Sequence, residues 1–171
     1  MNRWANNKVS NIDEHVLRNL IENVVREVKF ESQNITLKQA KSLSEEIQKK
    51  AKEMGVNAVV AIANSTANPI LVECMDDAYI ASYDVAVQKA FTVVSLKMST
   101  STLKPLAQPG GSLYGIQFTN NGKIVIFGGG EPLYSSSGKI IGGLGVSGGS
   151  EEQDTFLAEY GRRIFENNIR F

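Results

Sequence analysis

Three stretches of this chain have residue types and spacing suited to binding or chemistry. The first is Gly128-Gly129-Gly130-Glu131-Pro132-Leu133. The second is Ser147-Gly148-Gly149, which runs into Ser150-Glu151-Glu152-Gln153-Asp154. The third is Lys89, set in an apolar run, where its ammonium has to reach a carboxylate, a carbonyl or a ligand anion. Together, Lys89, Gly128, Gly129, Gly130, Ser147, Gly148 and Gly149 make the candidate ligand-binding set. A glycine turn that opens a helix offers free backbone N–H groups and a favourable dipole to an anion. Here the spacing argues against phosphate: neither a Gly-x-Gly-x-x-Gly fingerprint nor a Lys-Ser/Thr ending is present. Glu151, Glu152 and Asp154 also put negative charge in the first turn, which satisfies the dipole from within.

The remaining candidates are sparse. The only histidine, His15, stands beside Glu14 and Arg18 on the polar side of a helix and reads as solvated. Cys74 has no histidine near it in sequence to activate it and reads as a small buried filler. Asp76-Asp77 is expected to be a turn, since two adjacent carboxylates do not make a calcium loop. The sequence holds no zinc-ligand cluster, nucleophile elbow or paired-histidine motif.

The elements that must position these groups can be read from the apolar period. Ile12, Val16, Leu17, Leu20, Ile21, Val24, Val25 and Val28 recur at helical spacing, with Glu14, Arg18, Glu22, Arg26 and Glu27 opposite. This first helix follows a polar leader, Met1 to Asn11. Thr36 caps a second helix, with Gln39 closing a capping box and Gly55 ending it. Asn57 to Ala63 and Ile70 to Met75 read as two strands joined by a turn. A third helix runs from about Ala78 to Met98, with apolar residues on more than one face, so it is expected to pack on the sheet and on something else. Ser99 to Ser112 reads as a loop. Ile124 to Phe127 and Lys139 to Val146 give a hairpin signal around Ser135–Gly138, with one further strand near Leu133. Ser150 and Gln153 then cap a last helix carrying Phe156, Leu157, Tyr160, Ile164 and Phe165. Strands in hairpin pairs with helices outside them predict an α+β fold with an antiparallel sheet.

Bulk composition narrows the function classes. Lysine plus arginine equals aspartate plus glutamate, 18 each, so neither a nucleic-acid backbone nor an anionic membrane is an expected partner. One cysteine permits no internal disulfide, and no signal-peptide pattern or bilayer-length apolar run is seen, so the expected location is cytoplasmic.

At Gly128-Gly129-Gly130-x-Pro-Leu, and again from Gly138-Lys139-Ile140-Ile141-Gly142-Gly143-Leu144-Gly145-Val146 to Asp154, the chain resembles the GlcG/HbpS family of haem-binding or haem-degrading-like domains. Tyr114-Gly115-Ile116-Gln117 and Asn121 to Phe127 are most similar to the branch formed by the C-terminal domain of PduO. The resemblance covers about Ile35 to Phe165. It implies a profilin-like antiparallel sheet flanked by helices, a symmetric homo-oligomer, a central helix marked here by Asp84 and Lys89, and haem or a related tetrapyrrole as ligand. The matched segment contains no histidine, so iron would need Cys74, Met75, Tyr79 or Tyr83, or no strong axial ligand. The adenosyltransferase domain of full-length PduO has no counterpart here, so cobalamin adenosylation is not carried over.

The leading helix also resembles the encapsulation peptides on cargo enzymes of bacterial microcompartments. Residues 1–31 therefore read as leader and docking helix, and residues 32–171 as the ligand-binding domain. Val16, Leu17, Leu20, Ile21, Val24 and Val25 would meet a shell or cargo protein, although such a stripe more commonly packs on its own domain. The expected function is a tetrapyrrole-binding accessory protein, inside a microcompartment for diol degradation of the propanediol or ethanolamine type. Two rivals stand beside it: a small enzyme using the pocket at Lys89, and a module that only builds an oligomer through its third helix.

Overall fold

The apolar period of the chain switches between 3.6 and 2, and the computed structural model follows it. The structure describes residues 13–29 and 33–169, and the side chains of 25–29, 168 and 169 lie outside the description. The chain divides into two units, Met1–Glu31 and Ser32–Phe171.

In the first unit, helix α1 spans Glu14–Lys29. Asp13 starts it, its carboxylate accepting the His15 backbone N–H at 3.0 Å. Val16, Leu17, Leu20, Ile21 and Val24 are exposed and form a continuous stripe. The expected leader Met1 to Asn11, Ile12, and the side chains of Val25 and Val28 lie outside the described residues. His15 is exposed, as its polar neighbours require.

In the second unit, α2 covers Leu37–Glu53, and both arms of the Thr36–Gln39 capping box form. Strands β1 (Val59–Asn64) and β2 (Pro69–Cys74) make one antiparallel hairpin, and β3 (Gly130–Tyr134) and β4 (Ile140–Ser147) make the other. Helix α3 (Ile80–Leu96) connects the hairpins, and β1 pairs antiparallel with β4, giving the order β2-β1-β4-β3. After α3 come a short helix α4 (Thr100–Leu106) and, after β4, α5 (Glu151–Ile164). This is the antiparallel α+β architecture expected of the sequence.

Strand β1 shows how the layers are built. Val60 and Ile62 face a core shared with Leu43 and Ile47 of α2 and Leu157 of α5. Val59, Ala61 and Ala63 face the other way, onto Ala86 and Ala90 of α3. A strand covered on both faces loses its alternation and reads as a continuous apolar run. Gly145 explains how closely α3 lies on the sheet: a Cβ there would fall within 2.0 Å of the Ala86 carbonyl oxygen. Pro132 sits in β3, an edge strand, where a missing N–H is tolerated.

Several expectations need correction. Ile124 to Phe127 is not a strand; Ile124 and Val125 are apolar because they are buried, and the Val125 N–H is taken by the Thr92 hydroxyl at 3.0 Å. The hairpin partner of β4 is the segment near Leu133. The stretch read as a loop from Ser99 holds α4, capped by the Ser99 hydroxyl on the Thr102 N–H. Pro105, taken as a breaker, sits in its last turn. Cys74 is exposed at the end of edge strand β2, not a buried filler. Phe156 is also exposed, because α5 turns Asp154, Leu157, Ala158 and Gly161 inward.

Candidate functional site

Lys89 lies midway along α3, and its stem is wholly buried. Its Nζ donates to the carbonyl oxygen of Val146 at 2.7 Å and to Oδ2 of Asp154 at 2.9 Å. The Phe127 ring covers it, with the centroid 5.0 Å from Nζ. Burial pulls the Lys89 ammonium below its ordinary range, while the charge of Asp154 and its hydrogen bond oppose that shift. Asp154 uses its second oxygen, Oδ1, to accept the backbone N–H groups of Gly148 at 3.0 Å and Gly149 at 2.9 Å. The anion that the glycine turn invites is therefore supplied by the chain's own helix.

The Gly128–Gly130 run meets the same node. Gly129 has φ +106°, and a Cβ on it would lie 2.5 Å from Lys89 Nζ. Gly129 offers its carbonyl to the Val146 N–H at 2.8 Å. Gly130 donates to the Thr100 hydroxyl at 2.9 Å, and Gly128 donates to Glu151 at 2.9 Å. Glu151 also binds Lys104 at 2.7 Å; the Gly128 N–H first, and then Lys104, hold its carboxyl below the usual range. Ser147 donates to the Ser82 hydroxyl at 3.2 Å.

All seven residues of the candidate ligand set thus come together, around the end of the sheet where β3 begins and β4 hands over to α5. The space beside the glycines is taken by protein atoms: Thr155 at Gly128, Thr100 at Gly130, Asn57 at Gly148 and Gln153 at Gly149. Of the options open to Lys89, it takes a carboxylate and a carbonyl of its own chain. Sequence reasoning missed Asp154 as the partner, counting it only as first-turn charge. The capping box carried the signal, since it places residue 154 one turn past Ser150, facing back over the glycines.

An open groove of about 380 Å³ lies beside this node, between α4 and α5. It is lined by Ser101, Lys104, Glu151, Glu152, Thr155, Phe156 and Glu159. Ser101 Oγ is buried without a hydrogen-bond partner. Three carboxylates against a single lysine already engaged by Glu151 make it a poor seat for an anionic tetrapyrrole, and it holds no iron-ligand atom. Donors suited to iron lie elsewhere, at the connection from β2 to α3. Cys74 is exposed there, as are Tyr79 and Tyr83, with the side chain of Ile80 between them 97% exposed. Met75 is less available, because its sulfur accepts the Ala58 N–H at 3.3 Å. Thiolate and phenolate can each serve as an axial ligand of haem iron, so the donor chemistry of this corner is compatible with the group, where that of the groove is not. Among the described residues, no cluster of three or more histidine, cysteine or acidic side chains could hold a metal ion, and no helix is long and apolar enough to cross a membrane.

A four-stranded antiparallel sheet in the order β2-β1-β4-β3, with one helix crossing one face and two the other, is an α+β architecture that matches solved structures of the HbpS and DUF336 class. The chain belongs to the HbpS-like family, described as haem degrading protein HbpS-like, whose model matches residues 35–163. It is 45% identical over 125 residues to an uncharacterized 15.0 kDa protein in the dhaT-dhaS intergenic region of Citrobacter freundii, covering 73% of this chain and 87% of that one. It is 34% identical to the corrinoid adenosyltransferase PduO of the same organism, across 90% of this chain but only 45% of PduO. Among solved structures, it is similar to the Klebsiella pneumoniae protein ORFY, of the DUF336 family model (TM-score 0.75, 40% identity, 78% of this chain and 91% of that one). It is also similar to PduOC in complex with heme (TM-score 0.73, 35% identity, 76% of this chain and 94% of that one).

Proposed function

We propose that the Ser32–Phe171 unit binds haem or a related tetrapyrrole, and that the chain serves as accessory cargo of a bacterial microcompartment in diol utilisation. The observation that carries the ligand reading is the likeness of this unit, over three quarters of the chain, to a structure that holds heme. With no histidine in the unit, the iron is met by Cys74 or by a phenolate of Tyr79 or Tyr83, beside the apolar surface of Ile80. A bound haem would supply redox or gas-binding chemistry at its iron; the chain supplies an apolar seat and an oxygen or sulfur ligand. The Lys89–Asp154 latch acts at a distance from this corner by fixing α3 to α5. The microcompartment reading is supported by the naming of relatives after PduO and the dhaT-dhaS region, and by the exposed aliphatic stripe of α1.

Absorption titration of the purified chain with haem tests the ligand reading. A shifted Soret band saturating at one haem per chain is expected, and Cys74→Ser or Tyr79→Phe should change its position or weaken binding at least tenfold. A band that stays at the position of free haem at micromolar concentration defeats it.

A further inference from the structure

The groove between α4 and α5 carries a charge that its own chain does not balance. Its volume of about 380 Å³ falls in the range of small-molecule sites, roughly 300–1,000 Å³. Glu151, Glu152 and Glu159 line it against Lys104, and Lys104 is spent on Glu151 at 2.7 Å. Arg162, further along α5, binds Glu131 and Glu166 at 3.1 Å each. Glu152 and Glu159 are exposed and have no ion pair among the described residues. Glu152 stays ionised at the start of the helix: its own backbone N–H first, and then the Ser150 hydroxyl, hold its carboxyl below the usual range. Its charge more than offsets the roughly +0.5 elementary charge that a helix start presents.

Spacing says what kind of cation would restore the balance. Glu152, Thr155, Phe156 and Glu159 stand at i, i+3, i+4 and i+7, so they share one face of α5, with the two glutamates about 10 Å apart along its axis. Between them Phe156 is 41% exposed, and its ring suits an alkylammonium chain. A metal ion does not fit this layout, since among the described residues no group of three histidine, cysteine or acidic side chains could hold one. The opposite wall supplies a third contact. Ser101 Oγ is buried without a hydrogen-bond partner, a cost that a ligand N–H would remove. A Cβ on Gly128 would meet both Thr155 Oγ1 and Ser101 Oγ, so the two hydroxyls flank one point and Ser101 stands level with the middle of the stripe.

We propose that this groove binds a linear aliphatic polyamine, its terminal ammonium groups at Glu152 and Glu159, its methylenes across Phe156 and a central N–H donated to Ser101 Oγ. The separation of the glutamates, about 10 Å, sets the length: an extended triamine such as spermidine reaches across, and diaminopropane does not. The site uses neither Cys74 nor the tyrosines, so it stands or falls separately from haem binding.

Calorimetric titration of the full chain with spermidine tests the proposal. One site per chain is expected, with diaminopropane at least about tenfold weaker and magnesium chloride of equal ionic strength giving no saturable heat. Glu152→Gln and Glu159→Gln should each weaken spermidine at least about tenfold; both positions are exposed, so the fold is not at stake. Ser101→Ala should weaken spermidine and leave diaminopropane unchanged. No saturable heat at millimolar spermidine overturns the proposal, as does binding that magnesium matches or that survives Glu159→Gln. A Ser101→Ala variant that binds spermidine as the wild type does overturns the central contact and the choice of a triamine. Saturable binding of a lysine-rich peptide, with spermidine ineffective, overturns it in favour of a protein partner.

Discussion

At the scale of single residues, the buried Lys89–Asp154 pair separates two kinds of loss. Asp154→Ala strands the Lys89 charge and also orphans the Gly148 and Gly149 N–H groups, so it should cost about 3–5 kcal/mol of unfolding free energy. Lys89→Met keeps the volume and leaves Asp154 its two backbone donors, so its cost should be clearly smaller. Urea unfolding of both variants checks the order; equal losses would mean that the glycine turn does not depend on the aspartate. Glu131 makes a different prediction. It is buried on β3, and desolvation pushes its carboxyl up to about 7 from 4.5, in spite of Arg162 at 3.1 Å and with help from Glu159 and Glu166. A raised acid means the folded state holds a proton that the unfolded state has lost, so stability should fall as pH rises from 4.5 through about 7. The fall is at most about 3 kcal/mol and should be largely absent in Glu131→Gln. Urea midpoints at pH 5 and 8 measure it, and a wild-type protein that gains stability over that range contradicts the assignment.

At the scale of elements, α1 can be tested by itself. Its stripe of Val16, Leu17, Leu20, Ile21 and Val24 is exposed, and α1 belongs to the unit Met1–Glu31, distinct from Ser32–Phe171. Leu20→Glu with Ile21→Glu should cut co-fractionation with isolated shells at least tenfold while haem binding persists; undiminished co-fractionation would remove the docking role. The sequence was most readable where local rules act alone. The two capping boxes at Thr36 and Ser150, the β1–β2 hairpin and the Ser135–Gly138 turn all follow from short-range chemistry. It misled where tertiary packing sets the pattern. Ile124 and Val125 look like a strand because they are buried, but Thr92 of α3 takes the backbone donor that a ladder would need. Gly128 to Gly130 and Ser147 to Gly149 were legible as one cluster, yet glycine composition alone does not separate a cleft for a ligand from a cleft filled by Thr155, Thr100, Asn57 and Gln153. That distinction is three-dimensional.

At the scale of the whole molecule, each unit presents apolar surface outward: α1 along its stripe, and the Ser32–Phe171 body at the start of α3. Exposed aliphatic and aromatic side chains in such concentration belong to a protein that works in company. The proposed function gives the first surface a compartment partner and the second a ligand. Family membership fixes the architecture; under the proposed haem binding, the absence of histidine from the body leaves sulfur or phenolate oxygen to hold the iron. The measurement that bears most directly on this account is a native mass spectrum of the protein isolated from its own cell. Each chain should carry the mass of one tetrapyrrole. Chains at the bare polypeptide mass in that spectrum would contradict the ligand reading.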